Sequence, residues 1–562
     1  MSKIVQQTKN LLKDLITNAL NEAMKNGELL QAEIPEFIIE IPSNKANGDY
    51  SSNAAMTGAK AFKKSPKIIA QSIAANIDLN DTLFERVEIA GPGFLNFFLS
   101  DKYYVEILND IFACGSDYGK SDYGQGKKVL VEFVSANPTG PMHIGNARGG
   151  AIGDCLASVL DFAGFDVSRE FYVNDAGNQI EKFATSLEVR YLQHFDSGVE
   201  LPEDAYHGAD ITEHAENFIE EFGNKYVNCE SAERRKALVD YALPKNIEGL
   251  ERDLNRYRIT YDKWFRESTL HNDGSVEKVI TALTDKGATY TADGALWFRA
   301  SEYGNDKDIV LVRANGLPTY IVPDIAYHYN KLVTRGYDKA IDVLGADHHG
   351  YVPRMKAALT ALGLDADRLD AVIMQMVRLV RDGETIKLSK RSGKAITLNT
   401  LIDEVPLDAA RFFFNLREPN SHFDFDLELA AEESSANPVY YVQYAHARIC
   451  SIIKKAQAQG IELRTPSDDE LLLLKSSEEK ELIRHLSALT DEIVASAKSY
   501  DPAKITHYVI ELATLFHKFY NAQRVMTDNE PLMQARLYLC TAVKNTIKNV
   551  LTMLKITTPD VM

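Results

Sequence analysis

The sequence predicts an α/β protein: a doubly wound parallel-sheet domain, preceded by an α+β domain and followed by an all-α bundle. Three observations lead there. At 562 residues the chain is too long for one core, which implies two to four domains. Between residue 127 and about 400, β-branched runs alternate with amphipathic stretches, as parallel strands alternate with the helices that cover them. From about 406 the apolar spacing is helical to the end.

The elements follow in order. Residues 1–118 form the first domain. Leu11, Leu12, Leu15 and Leu20, set among Lys and Asn, predict an amphipathic helix. Residues 37–42 read as a strand, Asn47-Gly48-Asp49 as a turn and 51–75 as largely helical. Residues 87–99, broken by Gly91-Pro92-Gly93, read as a hairpin. A glycine-rich polar stretch, 118–126, reads as a linker.

The second domain is 119–405. It opens with a buried parallel strand at 129–134 and a helix running to about Phe162, and has another strand at 340–344. Material near 190–265 reads as a mostly helical insertion. In the third domain, 406–562, the bundle helices are expected at 449–458, 480–499, 504–523 and 533–554.

Composition bounds the function. Apolar content of 45% and charged content of 25% are those of a soluble globular protein, and neither a signal peptide nor a membrane-length apolar run is expected. The five cysteines are odd in number and form no C-x-x-C pair, so the expectation is free thiols in a reducing cytosol, not a zinc ribbon. A net charge of −18 argues against indiscriminate polyanion binding. It is uneven: residues 437–562 sum to +1 and the first 436 to −19, so an RNA surface is easier to place in the C-terminal part.

Three groups of residues carry chemistry. The first is a strand, a Pro/Gly turn, His143 and Gly145, then a helix, which is how α/β folds bring a helix N-terminus to phosphate. His143 and Asn146 lie one turn apart and can face one ligand; otherwise His143 is a capping or core-edge histidine. The second is Ile386-Lys-Leu-Ser-Lys-Arg-Ser-Gly393, where Lys387 and Lys390 flank Ser389. Such a loop can close two ammonium groups on a polyphosphate, or be simply a solvated basic loop. The third is Tyr440, Tyr444 and Arg448, which combine stacking faces with a cation, as RNA loops demand, or else pack between helices. Asp347, His348 and His349 follow a predicted strand; their types allow a metal site, and their place suits nucleotide contact equally.

These stretches resemble a known family. His143-Ile-Gly-Asn146 and Lys387-Leu-Ser-Lys-Arg391 look like the HIGH and KMSKS signatures of class I aminoacyl-tRNA synthetases. Residues 135–149 resemble the arginyl-tRNA synthetase version, of bacterial type. So do Asn174-Asp-Ala-Gly-Asn-Gln179, the stretch 316–325, Gly345-Ala-Asp-His-His-Gly-Tyr351 and the stretch 440–448, in order, so that essentially the whole chain is covered. One departure is Asn146 in place of the second signature histidine; asparagine still hydrogen-bonds but cannot become cationic.

The resemblance implies a Rossmann-like catalytic domain, an N-terminal domain that touches the tRNA elbow, and an anticodon-binding C-terminal domain. Arginine and ATP give arginyl-adenylate, and the arginyl group then passes to the 2′-OH of the terminal ribose of tRNA(Arg), with tRNA bound before activation. It assigns His143, Asn146, Lys387 and Lys390 to catalysis. It assigns Pro138, Gly140, Gly145, Asp347, His348 and Ser389, with those four, to ATP. Glu132, Ser135, Asn137, Tyr320 and Asp324 would hold arginine, and Tyr440, Tyr444 and Arg448 the tRNA. Mg²⁺ is expected with ATP, no protein-bound zinc is expected, and the enzyme is expected to be a cytoplasmic monomer.

Overall fold

The computed structural model of the protein describes residues 3–42, 44–203, 205–386 and 396–562. The first domain pairs a long helix α1 (Lys3–Lys25) with an antiparallel sheet, β1 (Ile39–Glu40), β2 (Tyr50–Ser52), β3 (Phe84–Ala90) and β4 (Phe94–Leu99), in the order β1-β2-β4-β3. Helices α2 (Ala54–Phe62) and α3 (Pro66–Asn76) connect the strands, and α4 (Asp101–Cys114) leads out. Leu12, Ile16, Ala19, Leu20 and Ala23 are buried at three- and four-residue spacing, so α1 folds by burying one stripe. The strand expected at 37–42 narrows to two residues.

The central sheet has five parallel strands: β5 (Lys128–Glu132), β6 (Asp166–Val173), β7 (Lys263–Arg266), β11 (Lys339–Gly345) and β12 (Leu369–Met374). Their order is β12-β11-β5-β6-β7. The chain winds outward from β5 in both directions, so the crevice between β5 and β11 is the switch point where such sheets bind ligands. Strand β5 stops two residues short of the expected end, because Val134 and Ser135 turn to left-handed φ of 68° and 39°. Helix α5 (Ile144–Phe162) makes the crossover from β5 to β6 and is buried along most of its length. Between β6 and β7 lie α6 (Asn178–Gln193), α7 (Ala209–Phe222) and α8 (Ser231–Arg256), the helical insertion.

Between β7 and β11 come α9 (Ser268–Asn272), α10 (Ser275–Asp285), a small antiparallel sheet of β8 (Thr289–Ala292), β9 (Ala295–Phe298) and β10 (Ile309–Val312), and α11 (Ile321–Tyr329). Helix α12 (Tyr351–Ala361) joins β11 to β12. A last three-stranded sheet contains β13 (Val377–Arg381), β14 (Glu384–Thr385) and β15 (Phe423–Asp426), with α13 (Leu398–Glu404) and α14 (Leu407–Phe414) between β14 and β15. The region beyond 406 is therefore not wholly helical. Phe423 and Phe425 are buried, and β15 pairs in parallel with β13, so a tertiary partner overrides the local helical pattern.

The rest is helical: α15 (Leu427–Ala431), α16 (Pro438–Ala458), α17 (Asp468–Leu471), α18 (Ser477–Ser487), α19 (Leu489–Ser499), α20 (Ala503–Ala522) and α21 (Glu530–Met553). The single helix expected at 480–499 is two, broken at Ala488. Tyr118 and Tyr103 reach from the first domain to the bundle, donating to the Leu486 carbonyl at 2.9 Å and the Ser487 hydroxyl at 3.4 Å. Among the described residues, no helix is long and apolar enough to cross a membrane.

Candidate active site

The first signature is a capped helix start. His143 is the N-cap of α5, and its Nδ1 accepts the Gly145 N–H at 3.1 Å. Asn146 Oδ1 accepts the His143 N–H at 3.1 Å, so the residue standing at the second signature position completes the cap. With Nδ1 accepting, the neutral ring carries its proton on Nε2. Gly145 has a steric reason: a Cβ there would meet the His143 ring at 3.0 Å. Upstream, the left-handed backbone at β-branched Val134 is a strained position next to the site, of the kind functional loops retain. Pro138 is buried, its carbonyl accepting from Asn246 Nδ2 at 2.9 Å, and Gly140 sits beside Asp210 of α7.

Lys387, Ser389 and Lys390 lie outside the described residues. The residues on either side are anchored. Ile386 N–H donates to the Leu379 carbonyl of β13 at 2.8 Å. On the far side, Thr397 pairs with His143 in an antiparallel bridge, and Leu398 N–H donates to the Met142 carbonyl at 2.9 Å. The chain leaving the second signature thus runs alongside the first.

At the carboxyl end of β5 lies a cluster of carboxylates. Glu132 accepts from Ser135 Oγ at 2.9 Å and from Lys331 Nζ at 2.5 Å. Lys331 is fully buried and also reaches Asp342 at 2.8 Å, and His328 Nε2 lies 2.8 Å from the other Asp342 oxygen. Burial alone would raise the Asp342 carboxyl, but Lys331 and His328 hold it below its ordinary value. Ser135 also accepts the Tyr172 N–H at 3.1 Å, which locks this corner to β6.

Asp324 differs from its neighbours. It is half-buried in the first turn of α11, and among the described residues its carboxyl has no hydrogen-bond or ion-pair partner. Burial, with the charges of Glu267 and Glu132, raises it well above the carboxylate range against the opposing pull of Lys331. Glu267 is raised too, by burial first. Counting Glu132, Glu267, Asp324 and Asp342 against Lys331, His328 and His271, which lies 3.4 Å from Glu267, the acids outnumber the bases by one. Such an arrangement can receive a cation, and a planar guanidinium meets two carboxylates best.

The remaining expected residues fall as follows. Tyr320 caps α11 and is 68% exposed, its hydroxyl accepting from Arg354 at 3.2 Å. Helix α11 begins before Pro323, which costs nothing because first-turn N–H groups have no intrahelical partner. Asn137 is exposed on the loop before His143. Asp347, His348 and His349 are exposed just past the end of β11. Tyr440, Tyr444 and Arg448 lie along α16. The two tyrosine rings stack at 6.5 Å, and the Arg448 guanidinium stands 5.0 Å from the Tyr444 ring and 4.8 Å from that of Tyr520. Tyr444, Arg448, Lys455, Tyr520 and Met562 line a cleft of about 290 Å³.

Sequence reasoning missed Glu267, Tyr172, Lys331 and Asp342. Glu267 stands directly after β7 and Asp342 within β11, so strand-end acids were the available signal; nothing local marks a lysine buried at Lys331. A further group, His446, Cys450 and Asp560, has ligand-type atoms within 4.8 Å of one another. Its contacts, His446 Nδ1 to the Pro559 carbonyl at 3.0 Å and Cys450 Sγ to Asp560 at 3.4 Å, tie the last residues to α16.

Three stretches of the chain match known families. Residues 108–453 match the family described as tRNA synthetases class I (R), catalytic domain. Residues 10–99 match the arginyl tRNA synthetase N terminal domain, and 442–562 the DALR anticodon binding domain. The chain is 54% identical over 562 residues to the arginine–tRNA ligase of Caldanaerobacter subterraneus subsp. tengcongensis, covering 100% of both chains. It is 50% identical over 564 residues to that of Acetivibrio thermocellus, again covering 100% of both. Among solved structures, a putative arginyl tRNA synthetase from Campylobacter jejuni superposes with a TM-score of 0.74 at 33% identity, over 83% of this chain and 100% of that one. The Thermus thermophilus arginyl-tRNA synthetase shares the fold at 22% identity, with a TM-score of 0.74 over 99% of this chain and 100% of that one.

Proposed function

This chain belongs to the arginyl-tRNA synthetase family, and we propose that it activates arginine with ATP and transfers it to tRNA(Arg) through the site just described. The observation that carries the reading is the carboxylate of Asp324, without a partner among the described residues and set among Glu132 and Glu267.

The guanidinium of arginine enters the acidic pocket, pairing with Asp324 and with the one Glu132 oxygen, Oε1, that Lys331 does not bind. Ser135, Asn137 and Tyr320 surround it. The arginine carboxylate then attacks the α-phosphorus of ATP, and pyrophosphate leaves. His143 donates from Nε2 as charge develops on the phosphate, while the N–H groups opening α5 add a fixed positive field. Asn146 supports that geometry as a cap. Pro138, Gly140 and Gly145 let the backbone approach ATP closely, and Asp347 and His348 stand at the nucleotide end. Lys387, Ser389 and Lys390 neutralise the departing pyrophosphate. Mg²⁺ comes with ATP, held by phosphates and water, and supplies further charge neutralisation.

No covalent enzyme intermediate is needed; catalysis is positioning plus electrostatics. The second step delivers the arginyl group to the terminal ribose 2′-OH of tRNA. Tyr440, Tyr444 and Arg448 offer the stacking and cationic face for the distant end of that RNA. The enzyme works in the cytoplasm as a monomer. The deciding experiment is a charging assay on bulk tRNA with each amino acid in turn. Arginine alone should be attached; attachment of any other in its place would overturn the reading.

A further inference from the structure

Arg148, on the second turn of α5, is a buried cation with no carboxylate. It is 1% exposed and, among the described residues, has no ion pair. Nη1 donates to the Gln375 carbonyl at 2.7 Å and to the Ser421 carbonyl at 3.3 Å; Nη2 donates to the Glu418 carbonyl at 3.2 Å and to that of Ser421 at 3.2 Å. Nε is buried without a partner, and the Phe423 ring lies 5.6 Å from the guanidinium carbon. Burial lowers its pKa to about 10. A guanidinium withdrawn from water and offered only carbonyl dipoles is a costly arrangement. A simple packing role would not call for it.

What it does hold is specific. Gln375 joins β12 to β13, and the 418–421 turn leads into β15. These two segments also meet directly, through Gln375 N–H and the Pro419 carbonyl at 2.9 Å. Strands β13 and β15 begin their pairing immediately beyond, at Val377 opposite Phe423. Next to Arg148, Gly149 allows the closest approach: a Cβ there would come within 2.9 Å of Met374. The fork of one side chain therefore ties the helix that starts at His143 to the base of the strand pair that leads toward Lys387.

We propose that Arg148 is a positioning residue for adenylate formation, setting the distance between the helix start and the β13–β15 pair. This rests on the function proposed above. Arginine is held by Glu132 and Asp324, which Arg148 does not touch, so its loss should act on turnover and spare arginine binding.

The test uses the full chain with two substitutions, Arg148→Met and Arg148→Lys, in steady-state tRNA charging. A folded Arg148→Met should lose about tenfold or more in kcat while the KM for arginine stays within about twofold. Arg148→Lys keeps the charge but replaces a fork by a single ammonium, so it should fall between Arg148→Met and the unaltered chain. If Arg148→Met does not fold, Arg148→Lys decides alone. An unchanged kcat in Arg148→Lys, or a KM for arginine that rises in step with the loss of kcat, overturns the role. Failure of the unaltered chain to charge tRNA with arginine would instead sink the function on which the role rests.

Discussion

Two buried ionic clusters of the central domain, one on helix α5 and one at the carboxyl end of β5, are built on opposite rules. On α5, Asp154 is paired on both oxygens, with Arg411 at 2.5 Å and Arg169 at 3.1 Å. Arg411 spends its other donors on the Tyr257 carbonyl at 2.9 Å and the Leu554 carbonyl at 3.1 Å. At the carboxyl end of β5, Lys331 is shared between Glu132 and Asp342, and among the described residues Asp324 has no partner. The first cluster is complete within the protein and ties three segments together. The second leaves Asp324 unpaired among the described residues. The difference teaches that burial of charge alone does not mark a site; a carboxylate left without any partner makes a candidate.

That contrast can be broken from either side. The largest effect is expected at the closed cluster. Asp154→Asn leaves Arg411 buried without its counter-charge and should cost about 3–5 kcal/mol of stability, read as a lower urea midpoint at unchanged slope. Arginine affinity of the folded protein should not move. A loss of affinity without a loss of stability would reverse the assignment of the two clusters.

Next comes Lys390→Ala, expected to slow adenylate formation roughly 100-fold in single-turnover measurements, or about 3 kcal/mol, while arginine affinity barely changes. Unaltered kinetics would remove the lysine from the reaction.

Asp324→Asn should then weaken arginine binding by roughly 2–3 kcal/mol in calorimetry, with stability equal or higher because repulsion from Glu132 and Glu267 is relieved. The same residue predicts a pH dependence of definite sign. Its carboxyl titrates higher in the folded chain than in the unfolded one. The stability linked to it is therefore present below the unfolded value and lost as pH rises through the folded one. Arginine needs the ionised form, so affinity should rise over that same interval, and Asp324→Asn should abolish the rise.

The smallest effect is at the tyrosine face of α16. Tyr444→Ala should raise the KM for tRNA by about 1–2 kcal/mol, leaving arginine binding alone. An equal change in both would make Tyr444 a packing residue of the bundle, which its ring contact with His517 at 5.9 Å would then explain.

Much of this was legible in the residues because the relevant chemistry is local. A strand, a glycine turn, His143 and a helix follow one another within about thirty residues, and the cap that His143 and Asn146 form needs no distant partner. Asp324 was legible as a candidate, whereas its lack of a partner was not. That depends on Lys331 facing Glu132 and Asp342, contacts 199 and 11 residues apart in sequence. Arg148 was visible only as a letter in the signature helix, since its three carbonyl acceptors lie 227 to 273 residues away. Likewise β15 was hidden in a helical pattern because its partner, β13, lies more than forty residues earlier.

By itself, the order of residues determined the domains' character, the signature helix start and the kinds of side chain available for arginine, phosphate and RNA. These follow from periodicity, turn chemistry and capping, which act over a few residues. Only the folded chain decided which acids are neutralised from within and which are left without a partner. Electrostatic balance is set by distance in space and by exclusion of water, and neither is written along the chain.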